Sequence, residues 1–267
     1  MVPYYEYHSS MKKQVGKLVA KFGYRISKIK NEKVPIGNRK RPFGDVYSFM
    51  EDVKALGFKP KQVIDVGAYN GCWSRHILPV FPDSKYHLIE PQVELESELK
   101  EACTELPHFS YTLAGCSSEI GELILTTLGN KDGSTFTIAK DDALIQSGKQ
   151  KIVPVVTIDQ LIEKGVIDIP DVIKADVQGL ELDVLRGAKK ALGKTELIIL
   201  ECSLFPFGSE TAPFPLVREV IDFMHKEGYE VYSFTNFARR PYDNALGQCD
   251  ICFALSDGFF RKHIGYN

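Results

Sequence analysis

No stretch of this chain approaches the roughly 20 consecutive apolar residues that a membrane-spanning helix needs. The first residues also lack the apolar segment of a secretory leader. Charge of one sign is missing in bulk. Lys and Arg number 33 against 35 Asp and Glu, a net charge of −2, which excludes a protein built as a whole to grip nucleic acid. Cysteine is present without a metal pattern. Cys249 and Cys252 form a CxxC, but no second pair completes a zinc site and no strand–helix context makes a redox pair. The bland reading is two thiols on a buried strand. Most of the six cysteines lie in apolar stretches, as buried free thiols do, and a reducing cytoplasm suits them best. Absent too is the GxGxxG of dinucleotide-binding folds. What remains is globular: 44% hydrophobic and 25% charged residues suffice for a sizeable core.

Two regions differ in composition. Residues 1–60 read as a basic, helical N-terminal extension. Between Met11 and Arg41 stand eleven Lys or Arg and one acid, Glu32. Met11, Val15, Leu18, Phe22, Ile26 and Ile29 recur at steps of three and four, one apolar helix face with lysines opposite. That face either docks on the main domain or lies on an anionic membrane surface or a partner through residues 11–30. Asn31 to Gly44 reads as a loop.

Residues 61–267 alternate strands with helices. Strands are expected at Gln62–Val66, Lys85–Ile89, Phe109–Leu113, Val172–Asp176 and Leu197–Leu200, with Tyr229–Phe234 and Ile251–Leu255 as a closing hairpin. Glu122–Leu128 looks like an inserted strand, and Ile152–Val156 is short and extended. Helices are expected from about Gly71, over Val93–Cys103, from Thr157, over Leu180–Leu192 and over Pro215–Glu227. The alternation calls for a doubly wound, Rossmann-like α/β sheet, mostly parallel with the last strand antiparallel, and helices on both faces.

The most informative segment is Asp65-Val66-Gly67-Ala68-Tyr69-Asn70-Gly71, a buried strand running through a glycine turn into a helix. In such folds the ligand sits at the carboxyl ends of the strands. Gly67 and Gly71 permit a tight turn and close backbone approach. Tyr69 stands where a pyrophosphate needs bare backbone, so a nicotinamide cofactor is disfavoured. A nucleoside ligand without phosphate, such as S-adenosylmethionine, tolerates a side chain there. Glu90, followed by Pro91 about 20 residues past the turn, suits the two ribose hydroxyls as a bidentate acceptor.

Here the sequence resembles the FkbM-type methyltransferases. The resemblance is carried by Asp65-Val66-Gly67-Ala68 with Asn70-Gly71, by Glu90-Pro91, and by Val156-Thr157-Ile158-Asp159-Gln160-Leu161. Its most specific block is Ile173-Lys174-Ala175-Asp176-Val177-Gln178-Gly179, continuing as Glu181-Leu182-Asp183-Val184-Leu185-Arg186-Gly187-Ala188. Glu201 and Asp250 also match. The resemblance spans roughly Gln62 to Leu255. It implies an S-adenosylmethionine-dependent O-methyltransferase acting on a hydroxyl of a sugar, glycan or glycosylated natural product. A polyketide or other small-metabolite acceptor is the alternative within that class. Position 178 is Gln where the family often has Glu, and no catalytic role is assigned to it.

Methyl transfer to an alcohol needs the acceptor oxygen held in line with the methyl carbon and a destination for its proton. Asp176, Lys174 two residues earlier on the same strand face, and Glu201 are the catalytic candidates, since buried charges are costly unless paired or used. A structural ion pair ordering the loop is the competing reading of Lys174 and Asp176. Asp176 and Glu201 together suggest Mg²⁺, but no third ligand is evident and a metal is not favoured. Asp176 also counts with Asp65, Gly67, Ala68, Tyr69, Asn70, Gly71, Glu90 and Pro91 as a cofactor contact. Ala114 and Cys116, after the third strand, should flank the adenine by fold analogy. On the acceptor side stand Ser134 and Thr135 in the polar insertion, Gln178, Ser203 at the start of an aromatic run, and Asp250. His76, His87 and His225 read as packing or surface histidines. Two other classes compete: a nicotinamide-dependent sugar oxidoreductase and a non-catalytic module that keeps the fold. A homodimer stays open.

Overall fold

A computed structural model of the chain describes residues 43–127, 134–137, 139–209 and 212–263. The basic helix expected over residues 11–30 lies outside them. Arg41–Asn267 forms one compact unit, so its edge falls earlier than residue 60. The reason is helix α1 (Val46–Ala55), capped by the Asp45 carboxylate on Ser48 N–H at 2.7 Å. It buries Val46, Met50 and Val53 in the main core.

Strand β1 (Gln62–Val66) is buried along its whole length, as expected for a central parallel strand covered on both faces. Beside it lie β2 (Lys85–Glu90) and β3 (Phe109–Leu113) on one side, and β8 (Val172–Ala175) and β9 (Leu197–Ser203) on the other, all parallel. After a short antiparallel pair, β10 (Gly208–Ser209) and β11 (Ala212–Pro213), the hairpin β12 (Tyr229–Arg239) and β13 (Leu246–Leu255) completes the order β12-β13-β9-β8-β1-β2-β3, with β13 antiparallel to both neighbours. Buried Cys249 and Cys252 sit on β13 as free thiols.

Helices α1, α2 (Cys72–Ile77) and α3 (Glu96–Glu105) cover one face through Met50, Ile77, Leu99 and Ala102. Further helices α5 (Ile158–Glu163), α6 (Glu181–Arg186) and α7 (Val217–Lys226) cover the other through Ile158, Leu185, Val220 and Met224. The layers are those of a doubly wound α/β fold. Connections leave β1 and β8 in opposite directions, which opens a crevice at their carboxyl ends.

Between β3 and α5 the chain builds a second sheet, ordered β4-β7-β5-β6. Its strands are Gly115–Cys116 (β4), Gly121–Thr127 (β5), Ser134–Thr137 (β6) and Gln150–Val156 (β7), with α4 (Asp142–Gln146) before β7. Two of these were expected as isolated pieces. Strand β6, Ser-Thr-Phe-Thr, carries no run long enough to announce itself.

The helix expected over Leu180–Leu192 ends at Arg186. Gly187 stops it: a Cβ there would run into the Ser117 carbonyl, and its own carbonyl accepts from Asp159 N–H at 2.9 Å. Strand β9 continues past Leu200 to Ser203, so Glu201 lies within it. Among the described residues, no helix is long and apolar enough to cross a membrane.

Candidate active site

The crevice holds a cavity of about 560 Å³. Its floor is the β1–α2 turn. Gly67 adopts φ 76° and packs so closely on the Asp176 backbone that any Cβ would collide with that carbonyl. Tyr69 follows at φ 54°, an unusual conformation for a bulky residue. Its amide donates to Glu90 Oε2 at 2.8 Å, and Gln92 N–H donates to Glu90 Oε1 at 3.0 Å. The Gln92 side chain also hydrogen-bonds this carboxylate, which lines the cavity. Burial pushes the Glu90 carboxyl up to about 7.

Opposite stands a network of charges. Lys174 Nζ donates to Asp176 Oδ2 at 3.1 Å and lies 4.0 Å from Asp65 Oδ1. Burial works to lower the Lys174 pKa, but Asp176, Asp65 and Asp250 outweigh it and the ammonium is held above its usual value. The Gln178 amide donates to Asp176 Oδ1 at 3.1 Å and to Glu201 Oε2 at 3.0 Å. Glu201 also hydrogen-bonds Asp176. Burial, then the Asp176 charge, pushes Glu201 up to about 9, so it keeps its proton and donates it to Asp176. Burial tends to raise Asp176, but Lys174 and these donors hold it below the usual carboxylate value. A carboxylate held by these donors is a fixed anion and a poor base.

Glu201 yields a stability prediction. A group whose folded pKa is raised stabilises fully below its unfolded value of 4.5, and that contribution is lost as pH rises through about 9. Between pH 8 and 10 the neighbouring Asp250, Glu90 and Glu181, near 6, 7 and 7, have already ionised. Over that interval Glu201 should cost the fold about 1 kcal/mol, or a few degrees in Tm. Glu201→Gln keeps a neutral donor to Asp176 and should flatten this slope in calorimetric melts. An equally steep slope in the variant would remove the shared proton from the account.

The sequence-expected residues divide into two groups. Gly67, Ala68, Tyr69, Glu90, Pro91, Ser134, Lys174, Asp176 and Gln178 line the cavity. The others stand behind it. Asp65, 1% exposed, accepts from Ser74 Oγ at 2.7 Å and buttresses Lys174. Asn70 accepts from Cys72 N–H at 3.1 Å, and Gly71, at φ 78°, is the N-cap of α2. Buried Ala114 and Cys116 are not on the wall where the adenine was expected; that wall carries Leu125 and Phe136 from the second sheet, with Phe136 against Gly115. Thr135 Oγ1 donates to the Gln178 carbonyl at 3.2 Å. Asp250 is buried and reaches the cavity through Asn236, whose amide donates to it at 2.7 Å. Ser203 is buried beside Leu216 and does not line the cavity. The remainder of the polar insertion, residues 130–133, lies outside the described residues.

Sequence reading missed Trp73, His76, Gln92 and Asn236 as lining residues. Trp73, the chain's single Trp two residues past Gly71, was the one visible signal; its ring centroid lies 5.9 Å from Lys174 Nζ. Three non-glycine residues with positive φ, Tyr69, Gln178 and Asn236, all face this cavity, a concentration typical of functional sites. Among the described residues, no group of three or more His, Cys, Asp or Glu is placed to hold a metal.

The molecule is thus an open, doubly wound α/β protein with an acid-lined cleft at its switch point. The chain belongs to the FkbM methyltransferase family, matching its Methyltransferase FkbM domain over residues 65–231. Over 43 residues it is 44% identical to the hexuronic acid methyltransferase AglP of Haloferax volcanii, a match covering 16% of this chain and 18% of that one. Among solved structures it is similar to the methyltransferase FkbM of Methylobacillus flagellatus, with TM-score 0.45 and 16% identity, over 72% of this chain and 43% of that one. It is also similar to the fibrillarin of Aeropyrum pernix solved with S-adenosyl-L-methionine, with TM-score 0.43 and 13% identity, over 73% and 67%. The chain therefore spans less than half of the first two relatives' length.

Proposed function

We propose that this protein is an S-adenosylmethionine-dependent O-methyltransferase whose acceptor is a hydroxyl of a sugar or glycan. The observation that carries the reading is Glu90. A buried carboxylate at the end of β2 is clamped by the Tyr69 and Gln92 amides and lines the cleft, where it can accept from ribose hydroxyls. That donor set matches a ribose and offers nothing to a pyrophosphate. The cofactor is itself cationic, and the acids of the cleft, Glu90 and Asp176, outnumber its one lysine, Lys174. The short stretch of identity to a hexuronic acid methyltransferase supports a sugar acceptor.

On this reading Glu90 holds the ribose and the Gly67–Gly71 turn lies along the nucleoside. Leu125, Phe136 and Trp73 keep water from it. When bound, the cofactor supplies an electrophilic methyl group. Asp176 accepts a hydrogen bond from the acceptor hydroxyl and so orients its oxygen. Its fixed charge stabilises the positive charge that grows there as the new bond forms. The proton leaves to solvent through the open side of the cleft.

The test is titration of the purified chain with S-adenosylmethionine and with NADPH, followed by labelled-methyl transfer to methyl glycosides. Micromolar binding of the first alone, with label in a sugar ether, is the expected result. Binding of NADPH, or of neither, overturns the reading.

A further inference from the structure

A second cavity, of about 460 Å³, opens where the β9 exit meets the β12–β13 hairpin. Phe205 and Phe207 form one wall, and Arg239, Arg240 and Tyr242 the other. The Arg240 guanidinium lies 3.9 Å from the Phe205 ring centroid and 5.8 Å from that of Tyr242. Gly247 leaves room for this: a Cβ there would stand 3.0 Å from Arg240 Cγ and crowd the arginine stem.

The arginine is held in place. Its backbone N–H donates to the Ala245 carbonyl at 2.8 Å, and its Nε reaches Asp243 at 3.4 Å. Among the described residues, no hydrogen bond occupies its two terminal nitrogens. Arg239 is already engaged, donating to the Asn244 carbonyl at 2.9 Å. Arg240 therefore presents a pre-oriented half of its fork between two aromatic faces.

We infer that this groove is an acceptor subsite for an acidic sugar, with Arg240, stacked on Phe205, pairing to the sugar carboxylate and the exposed Tyr242 ring packing on the sugar's C–H face. A planar guanidinium matches a carboxylate with two parallel hydrogen bonds, and stacking on Tyr242 fixes the sugar ring beside it. The groove and the active-site cleft both draw on β12: Asn236 lines the first cavity and Ala238, two residues on, the second. On this inference an acidic residue in the groove would carry a neighbouring sugar toward the cleft. The inference rests on the glycan reading above and adds to it the charge of the substrate and the residues that read it.

The test uses a pair of probes that differ only in the carboxylate, methyl β-glucuronide and methyl β-glucoside. Each is titrated into the isotopically labelled full chain and followed by NMR at Arg240, Phe205 and Tyr242. The glucuronide should bind saturably and at least about tenfold more tightly than the glucoside. Arg240→Gln should reduce it to the glucoside's affinity, and Tyr242→Ala, at a residue 89% exposed, should weaken both probes without disturbing the fold. S-adenosylmethionine affinity should be unchanged in both variants. Equal affinity for the two probes, no saturable shift, or full glucuronide affinity in Arg240→Gln overturns the subsite. The titration needs no cofactor, so failure of cofactor binding would count against the enzyme reading alone.

Discussion

Glu90→Ala is expected to weaken S-adenosylmethionine binding by at least about 100-fold. Hydrogen bonds to a charged group contribute about 1.5–3 kcal/mol each, and the ribose would make two to this carboxylate. The variant also strips the Tyr69 and Gln92 amides of their acceptor, so the left-handed turn at Tyr69 loses its clamp. The pH dependence is a separate signature. Burial holds Glu90 near 7, whereas hydroxyl donors favour the ionised form. Binding should therefore release a proton, and affinity should rise about tenfold from pH 6 to pH 8. Glu90→Gln should be intermediate in affinity and flat across that range. Calorimetric titration reads both. Undiminished affinity in Glu90→Ala would move the ribose elsewhere in the cleft.

Much of the fold was legible because each parallel strand is a short apolar run with punctuation on both sides. Gln62–Val66, Lys85–Glu90 and Phe109–Leu113 fall within a residue of expectation. The second sheet was not legible, since its strands draw their partners from each other across loops. Of the site, what was readable followed from strand ends and glycines: Gly67, Glu90, Lys174 and Asp176 line the cleft as placed. The error was one of depth. Asp65 and Asp250 flank the site in sequence pattern, yet they stand behind Lys174 and Asn236. A sequence shows which residues reach a strand end but not which of them a neighbour screens. Asn236 illustrates the limit: its φ of 51° comes from irregular pairing in the β12–β13 hairpin, and no local motif announces it. Gln178 was read as an acceptor-side residue that departs from the family pattern. In three dimensions its neutral amide bridges Asp176 and Glu201, where a third carboxylate would add repulsion.

Asp176→Asn is expected to leave cofactor affinity within about tenfold of wild type and to lower kcat by about 10²–10⁴, the range seen when a preorganised electrostatic or proton-handling group is lost. The carboxylate accepts from Lys174, Gln178 and Glu201, and none of these partners needs it as a proton acceptor. Its contribution lies in a charge already in position when the acceptor oxygen becomes positive. Asparagine keeps the shape and removes the charge. The isosteric change also leaves the Lys174 ammonium, almost wholly buried, facing Asp65 at 4.0 Å as its nearest remaining carboxylate. A loss of a few degrees in Tm should accompany the loss of turnover. The pH profile separates a fixed anion from a general base. A base would give Asp176 an acidic limb in kcat near neutrality, whereas a carboxylate held below its ordinary value of 3.8 gives none until well into acid. Wild-type kcat at saturating cofactor and acceptor should therefore stay level from pH 6 to pH 8. A tenfold fall over that interval would make a titrating group, and not the fixed Asp176 charge, the determinant of turnover.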